Sequence, residues 1–282
     1  MSLNKRVIIL TGSETRHTFV RLGVALTPGV TVLRSYCEGV EKSLETLFST
    51  GDSSAISVQR NHIEARSRSE EDFFGSFVRL APDLSNPFQL PKGAINDQAV
   101  VDEIVALCPD VIVAYGCSLI RGPLLDAFPG RFINAHLGLS PYYRGAGTNF
   151  WALVNGEPEC VGATFMHIDA GVDTGAIIHQ MRARVFPGDT PHQIGNRLIA
   201  DLVPVYAKII IGIERLQPPS PLPKPAFERL YRMADFTDDA VQRLYDSFSA
   251  GLVERYLVDQ DHRVKRIPIL ENPGLQIGVG GS

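Results

Sequence analysis

The sequence predicts an α/β fold, a doubly wound, mostly parallel sheet with an antiparallel edge and a small C-terminal helical appendage. Three observations predict it. Short apolar runs alternate with amphipathic stretches, two neighbouring runs between residues 161 and 183 are joined by a short glycine-rich loop, and a proline-dense segment sets off a last short piece.

Arg6-Val7-Ile8-Ile9-Leu10 is an apolar run ending in Thr11-Gly12-Ser13, and an amphipathic stretch follows to about Ala25: strand, tight turn, helix. Val30-Thr31-Val32-Leu33 reads as a second strand. A mostly polar region runs from Glu38 to about Leu80, and residues 54–80 read as a helix. There Ile56, Ile63, Phe73, Phe74 and Phe77 stand among many Arg and Glu, a mixture that marks a solvated face, with a grip on an acidic substrate as the alternative. Residues 93–97 open a further helix that Asn96 or Asp97 can cap, with Val100, Val101, Ile104, Val105 and Leu107 at helical spacing and Pro109 as its stop.

Asp110-Val111-Ile112-Val113-Ala114 suits a parallel strand covered on both faces. A short helix over residues 123–128 leads to the strand Arg131-Phe132-Ile133-Asn134. Residues 161–168 and 176–183 form the antiparallel pair about the loop 169–175. Thr190 or Asp189 then caps a long helix from Pro191 to about Leu216, with Ile194, Leu198, Leu202, Val205 and Ile209 along its inner stripe. The chain thus divides into a catalytic domain (1–217), a stiff proline-rich linker (218–226) and an appendage (227–282). Thr237-Asp238-Asp239 caps a helix there through Ala240, Val241, Leu244 and Phe248, and residues 278–282 read as a flexible tail. Lid, homodimer contact and packing all stay open as the task of the appendage.

Composition narrows the function classes. The 282 residues are 44% hydrophobic, enough for a full core, and the formal charge of −4 gives no basic footprint, so nucleic acid is not an expected partner. The N-terminus runs into a strand without a signal-peptide core and no apolar window reaches membrane-spanning length, which predicts a cytoplasmic protein with no membrane partner. Cys37, Cys108, Cys117 and Cys160 are widely spaced with no C-x-x-C pair, and read as reduced structural thiols rather than metal ligands.

Chemistry concentrates after the strand that ends in Asn134-Ala135-His136. Side chains two apart on an extended backbone point to the same side, so this pair can serve one substrate atom, and the glycine- and proline-containing loop 137–145 that follows suits a functional role. Taken singly, a satisfied histidine at a strand end and a loop aspartate bonding its own turn would look the same. The surrounding spacings decide. Asn134-x-His136, Leu139-x-Pro141, Tyr143-Arg144-Gly145, Trp151-Ala152, Gly156, Gly162-x-Thr164, Asp169-x-Gly171-x-Asp173-x-Gly175 and Gln180 resemble the folate-dependent formyltransferase family. That family includes glycinamide ribonucleotide formyltransferase, the catalytic domain of methionyl-tRNA formyltransferase and sugar N-formyltransferases. The resemblance is close over residues 130–180 and follows the strand order loosely from residue 5 to about 215.

The resemblance implies a formyltransferase-like Rossmann variant, 10-formyltetrahydrofolate as donor, no metal, and Asn134, His136 and Asp173 as the catalytic trio. The residue types fit. A neutral amine attacks a formyl carbon, charge develops on its oxygen, and protons must be moved. An asparagine amide can donate to that oxygen without changing charge, an imidazole can donate or carry protons near neutrality, and a carboxylate can hold the imidazole or a relay water. Backbone groups of Tyr115, Gly116, Cys117, Ser118, Leu119 and Ile120 and of Asp169, Ala170 and Gly171 would meet the pterin ring. Tyr143, Arg144 and Gly145, in the matching loop, are assigned to the substrate. Thr11, Gly12 and Ser13 can cradle an anion at a helix N-terminus, although Glu14 beside them would repel it and a simple capping turn is the other reading. His167 and His179 read as structural, and Trp151 as core.

Two features depart from the commoner family form, the first loop with Glu14 beside its turn being one of them. Leu137-Gly138-Leu139-Ser140-Pro141 stands where many members have Ser-Leu-Leu-Pro, so the serine is displaced and contacts near the formyl group differ. Among other functions, a dinucleotide oxidoreductase lacks its G-x-G-x-x-G after a strand. Retention of all three polar residues argues against a non-catalytic folate-binding or scaffold protein. A formyltetrahydrofolate hydrolase would use the same trio, but such enzymes usually carry an N-terminal regulatory domain, and the first strand here begins at residue 6. For the acceptor, methionyl-tRNA would call for a larger RNA-facing C-terminal domain, and glycinamide ribonucleotide enzymes tend to be shorter. A small-molecule amine is therefore expected, with an amino sugar on a nucleotide carrier as the leading choice.

Overall fold

The computed structural model describes residues 4–40, 57–169, 171, 173–217 and 224–275. Its strands are β1 (Lys5–Gly12), β2 (Val30–Glu38), β3 (Pro87–Leu90), β4 (Val111–Tyr115), β5 (Phe132–His136), β6 (Tyr143–Gly145), β7 (Gly162–His167), β8 (Ile177–Arg182) and β9 (Arg229–Tyr231). The helices are α1 (Thr15–Ala25), α2 (Val58–Leu80), α3 (Gln98–Leu107), α4 (Gly122–Ala127), α5 (Thr148–Val154), α6 (Pro191–Ile211), α7 (Asp238–Ser249), α8 (Leu252–Val258) and α9 (Gln260–Arg266). Seven strands form one sheet in the order β3-β2-β1-β4-β5-β7-β8. The first five run parallel, and β7 and β8 are each antiparallel to the neighbour before them.

Alternation along the central strands builds two apolar layers. Val7 and Ile9 of β1 with Val111 and Val113 of β4 face Val20, Val24, Phe74, Ile194, Leu198 and Leu202. Ile8 and Leu10 with Ile112 and Ala114 face Val100, Val101, Ile104 and Leu124. Both faces are therefore covered, the condition under which a parallel strand can be apolar at every position. The strand order reverses between β1 and β4, and a crevice opens beyond the carboxyl ends of strands at such a reversal. Tyr206 of α6 fixes the floor of that crevice. Its buried hydroxyl donates to the Ile133 carbonyl at 2.6 Å and accepts from the Ala114 amide at 3.0 Å, joining β4 and β5 just ahead of Asn134.

The start of α6 follows the expected chemistry, with Pro191 in its first turn and Thr190 and Gln193 exchanging side-chain and backbone hydrogen bonds in a capping box. Asn96 departs from its expected capping role. It instead accepts from the Arg121 amide at 2.8 Å and donates to the Leu119 carbonyl at 3.0 Å, so it shapes the loop after β4. The charge-rich α2 is not a wholly solvated helix. Ile63, Glu70 and Phe74 are buried, and Phe74 stacks on Phe19 of α1 at 4.4 Å. Those three lie at i, i+7 and i+11, a stripe too narrow to stand out among arginines and glutamates. Ile56 falls outside the described residues.

Two features were not legible in the sequence. β3 is a four-residue edge strand, and β6 and β9, of three residues each, pair in parallel to bring the C-terminal segment against the loop after His136. Segments this short carry no periodic signal. Beyond residue 224, Val241, Leu244, Leu252, Val253 and Tyr256 are buried, and Ala240, Leu244, Leu252, Val253 and Tyr256 belong to the same apolar cluster as the sheet. The chain then returns along β8, where Gln180 exchanges hydrogen bonds with Leu270 in both directions, at 2.7 and 3.0 Å. That contact covers the sheet edge, which would otherwise expose unpaired backbone groups. Most of the proline-rich linker and the glycine tail lie outside the described residues.

Candidate active site

β5 ends at the crevice, and period two places Asn134 and His136 on the same side of it. Asp173 arrives from the loop between β7 and β8. Its left-handed backbone, φ +52°, is a conformation that Asp tolerates better than most residues. One oxygen of its carboxylate lies 3.3 Å from His136 Nδ1, and the other accepts from the Gly145 amide at 3.4 Å. A neutral imidazole that gives its Nδ1 hydrogen to a carboxylate keeps a lone pair on Nε2. His136 Nε2 is enclosed and, among the described residues, has no hydrogen-bond partner. Burial pushes the His136 pKa down, and the negative charge of Asp173 pulls it part of the way back.

Gly138 leaves the space around that nitrogen. A methyl group there would stand 2.8 Å from His136 Nε2 and 2.5 Å from the Thr148 hydroxyl, which itself donates to the Leu137 carbonyl. Gly138→Ala is therefore expected to turn the imidazole and lower kcat about 100-fold with the fold retained, checked by steady-state rates beside circular dichroism. Ser140, the displaced serine, is buried, and its backbone is held by Thr164 and Gln180, at 3.0 Å through its amide and 2.6 Å through its carbonyl.

Two cavities meet at these residues. The smaller, about 250 Å³, is walled by residues 116–120 and by the loop containing Asp169, Gly171 and Thr174. The larger, about 480 Å³, reaches from Arg16 and His17 across Trp151 to Phe236, and Asn134 and Asp173 border both. Carboxylates hold the loops of the smaller cavity in shape. Glu38, fully buried, accepts from the Ser118 amide at 2.6 Å, and Asp169 accepts from the Gly171 amide at 3.0 Å. Burial and the nearby Glu38 push the Cys117 thiol up to about 12, so it stays protonated. Tyr115 and Gly116 line the larger cavity, Ser118, Leu119 and Ile120 the smaller, and Gly116 and Cys117 both. Ala170 lies outside the described residues.

The residues expected at the substrate are brought together only in part. Gly145 lines the larger cavity, whereas Tyr143 is fully buried with its hydroxyl donating to Glu157 at 2.5 Å, and Arg144 pairs with Glu228 at 3.3 Å. Thr11, Gly12 and Ser13 line neither cavity, and the Thr11 hydroxyl donates to the Tyr115 carbonyl at 2.8 Å. Arg16 and His17 from the first turn of α1 form the wall instead. Glu14 does not stand alone there: Arg16 pairs with it and with Glu70, the latter at 2.8 Å. Burial opposes the charge on Arg16, but the two carboxylates outweigh it and raise its pKa. Trp151 is buried as expected, stacked on Tyr231 at 4.2 Å, and one part of it also faces the cavity. His167 and His179 bond to backbone, at the Phe132 carbonyl and the Asn272 amide.

His62, Arg66 and His192 also line the larger cavity; the sequence carried no signal for the two histidines, and Arg66 lies in the helix whose alternative reading was a grip on an acidic substrate. Burial lowers His62 to about 3 and His192 to about 4, and Arg66 adds to both shifts. Depressed imidazoles bind protons in the unfolded chain first, so their contribution to folding stability is full above pH 6.5 and falls as pH drops from there, towards 4 for His192 and towards 3 for His62. The loss attributable to these two is expected to be on the order of a few kcal/mol, measured by denaturant unfolding at several pH values. His62→Gln should flatten that slope; an unchanged slope would mean that His62 titrates normally.

Among the described residues no group of three His, Cys, Asp or Glu could hold a metal ion, and no helix is long and apolar enough to cross a membrane. The architecture is that of formyl-transferring enzymes. A phosphoribosylglycinamide formyltransferase from Anaplasma phagocytophilum superposes with a TM-score of 0.54 at 16% identity, over 82% of this chain and 99% of that one. A sugar N-formyltransferase from a Shewanella species gives 0.53 at 19%, over 82% and 78%. At such identities the likeness is one of fold. The chain belongs to the formyl transferase family, whose sequence profile matches residues 46–209, more than half of its length. It is 36% identical over 124 residues to methionyl-tRNA formyltransferase of Desulforamulus reducens, covering 42% of this chain and 38% of that protein. Against the Solibacter usitatus enzyme of the same name it is 38% identical over 104 residues, 37% of this chain and 33% of that protein. It thus spans less than two fifths of the length of either relative.

Proposed function

We propose that this chain transfers a formyl group from 10-formyltetrahydrofolate to the amine of a small-molecule acceptor. The observation that carries the reading is the meeting of Asn134, His136 and Asp173 at the join of two cavities in a chain of this family. The larger cavity is of a size that suits a small acceptor, and the smaller, set between the loop after β4 and the loop after β7, suits a flat ring. Gly116, Cys117, Ser118, Leu119, Ile120, Asp169 and Gly171, with Ala170 between the last two, would hold the donor, which supplies the formyl group when bound.

Each residue then has a defined task. His136 Nε2 takes the proton of the attacking amine and would return it to the folate nitrogen as the bond from that nitrogen to the formyl carbon breaks; Asp173 stabilises the imidazolium in between, and the Gly145 amide keeps the carboxylate turned towards the ring. The Asn134 amide donates to the oxygen on which charge develops. A neutral His136 at rest, favoured by its burial, is the form that this task needs. Reduced cysteines fit a cytoplasmic setting.

The test is incubation with 10-formyltetrahydrofolate and a panel of amines, reading folate absorbance and product mass. A formylated amine is the expected product; formate without one would assign the chain to hydrolysis.

A further inference from the structure

The far wall of the larger cavity holds a second set of titratable side chains that the transfer itself does not use. His62 of α2, His192 of α6 and Tyr245 of α7 converge there from distant parts of the chain. The Tyr245 hydroxyl lies 3.0 Å from His62 Nδ1 and 3.3 Å from His192 Nε2, and the two imidazoles are 4.7 Å apart. Both histidines line the cavity, as do Phe150 and Phe236, whose rings stand 5.4 and 5.9 Å from His62. Tyr245 stands behind the pair, on the wall of a neighbouring cavity that His192 also borders.

One phenol hydrogen serves two rings. Both imidazoles are neutral at physiological pH, so each carries one N–H and one lone pair. When Tyr245 donates to one ring it must accept from the other. The first ring then carries its hydrogen on the remaining nitrogen, and the second keeps a lone pair there. Whichever way the phenol turns, His62 Nε2 and His192 Nδ1 are therefore one donor and one acceptor. Neither ring makes another hydrogen bond among the described residues.

A hydroxyl both donates and accepts, and so matches this pair. A phosphate or carboxylate is acceptor-only when ionised, and would meet a lone pair with a lone pair. Of the three arginines that line the cavity, Arg16 and Arg66 both face Glu14 and Glu70, and Arg232 stands beside Met233 and Phe236. The aromatic rings beside His62 offer a flat apolar surface to a ring bearing that hydroxyl.

We propose that His62 and His192, held in opposite hydrogen-bonding states by Tyr245, determine acceptor specificity by reading a hydroxyl on a ring packed against Phe150 and Phe236. The acceptor is thus a hydroxylated cyclic amine. This rests on the amine-acceptor reading above, and its test is therefore a binding measurement without formyl donor. 2-Amino-2-deoxyglucose and cyclohexylamine are titrated by ligand-observed NMR into the full chain and into Tyr245→Phe, which removes the shared hydrogen and keeps the ring. Wild type is expected to prefer the hydroxylated amine, and Tyr245→Phe to lose about tenfold of that preference. His192→Gln, which keeps a polar group but cannot exchange donor and acceptor states in the same way, should lose it similarly and serves if the first variant misfolds. No preference in wild type, or the same preference in folded variants, overturns the proposal. Formylation of amines without regard to ring hydroxyls would defeat it and leave the transferase reading standing. The expected binding preference with only formate released from the donor would do the reverse.

Discussion

Asp173→Asn is expected to lower kcat by about 10²- to 10⁴-fold and to move the acid limb of the rate profile to lower pH. The substitution keeps shape and turn, because Asn accepts the left-handed backbone that Asp173 adopts. What it removes is charge. The His136 pKa is set by burial, which lowers it, and by the Asp173 carboxylate, which raises it. Without that carboxylate burial is opposed only by a hydrogen bond with the Tyr143 backbone, so the ring stays unprotonated to a more acidic pH while the imidazolium formed during turnover loses its counter-charge. Rates of kcat/KM measured from acid to neutral pH check both parts. An acid limb that stays in place or moves upward would remove Asp173 from its assigned role beside the imidazole.

Gly145→Ala should produce the second large effect, and on stability as well as rate. Gly145 has φ +88°, and a methyl group on it would overlap the carbonyl oxygen of Tyr231 in the paired strand β9. The strands β6 and β9 must part, and the amide that holds the Asp173 carboxylate goes with them. A loss of about 1–3 kcal/mol in unfolding free energy is expected, with kcat reduced about 100-fold and KM changed far less. Gly130→Ala is the control: φ there is +71°, yet nothing lies within 4 Å of the added methyl, so stability should fall and the rate should not. Equal kinetic effects at the two positions would show that backbone strain alone is being measured.

The sheet was readable because its central strands are apolar at consecutive positions, and a strand covered on both faces has no other way to be built. Asn134 and His136 could be paired from their spacing, since extended backbone fixes which side they share. Asp173 was different: its loop has no period, and only the register of the whole motif singled it out. His62 was hidden in a helix dense with arginine and glutamate, and His192 and Tyr245 sit on helices where a lone polar residue signals nothing. Their meeting is a product of how α2, α6 and α7 pack, which no local pattern encodes. The same holds for Thr11, Gly12 and Ser13. The turn was legible, but that its backbone would be turned away, with Arg16 and His17 on the cavity wall, follows from packing against β4.

Arg232, Met233, Phe236 and Leu244 wall the larger cavity, whereas the smaller is lined, among the described residues, only by positions that precede residue 176. Under the proposed assignment, recognition of what receives the carbon unit is drafted partly by the last quarter of the polypeptide, and recognition of what delivers it is not. A lineage that exchanges side chains beyond residue 224 can then shift its clientele by small steps while inheriting an unaltered one-carbon supply.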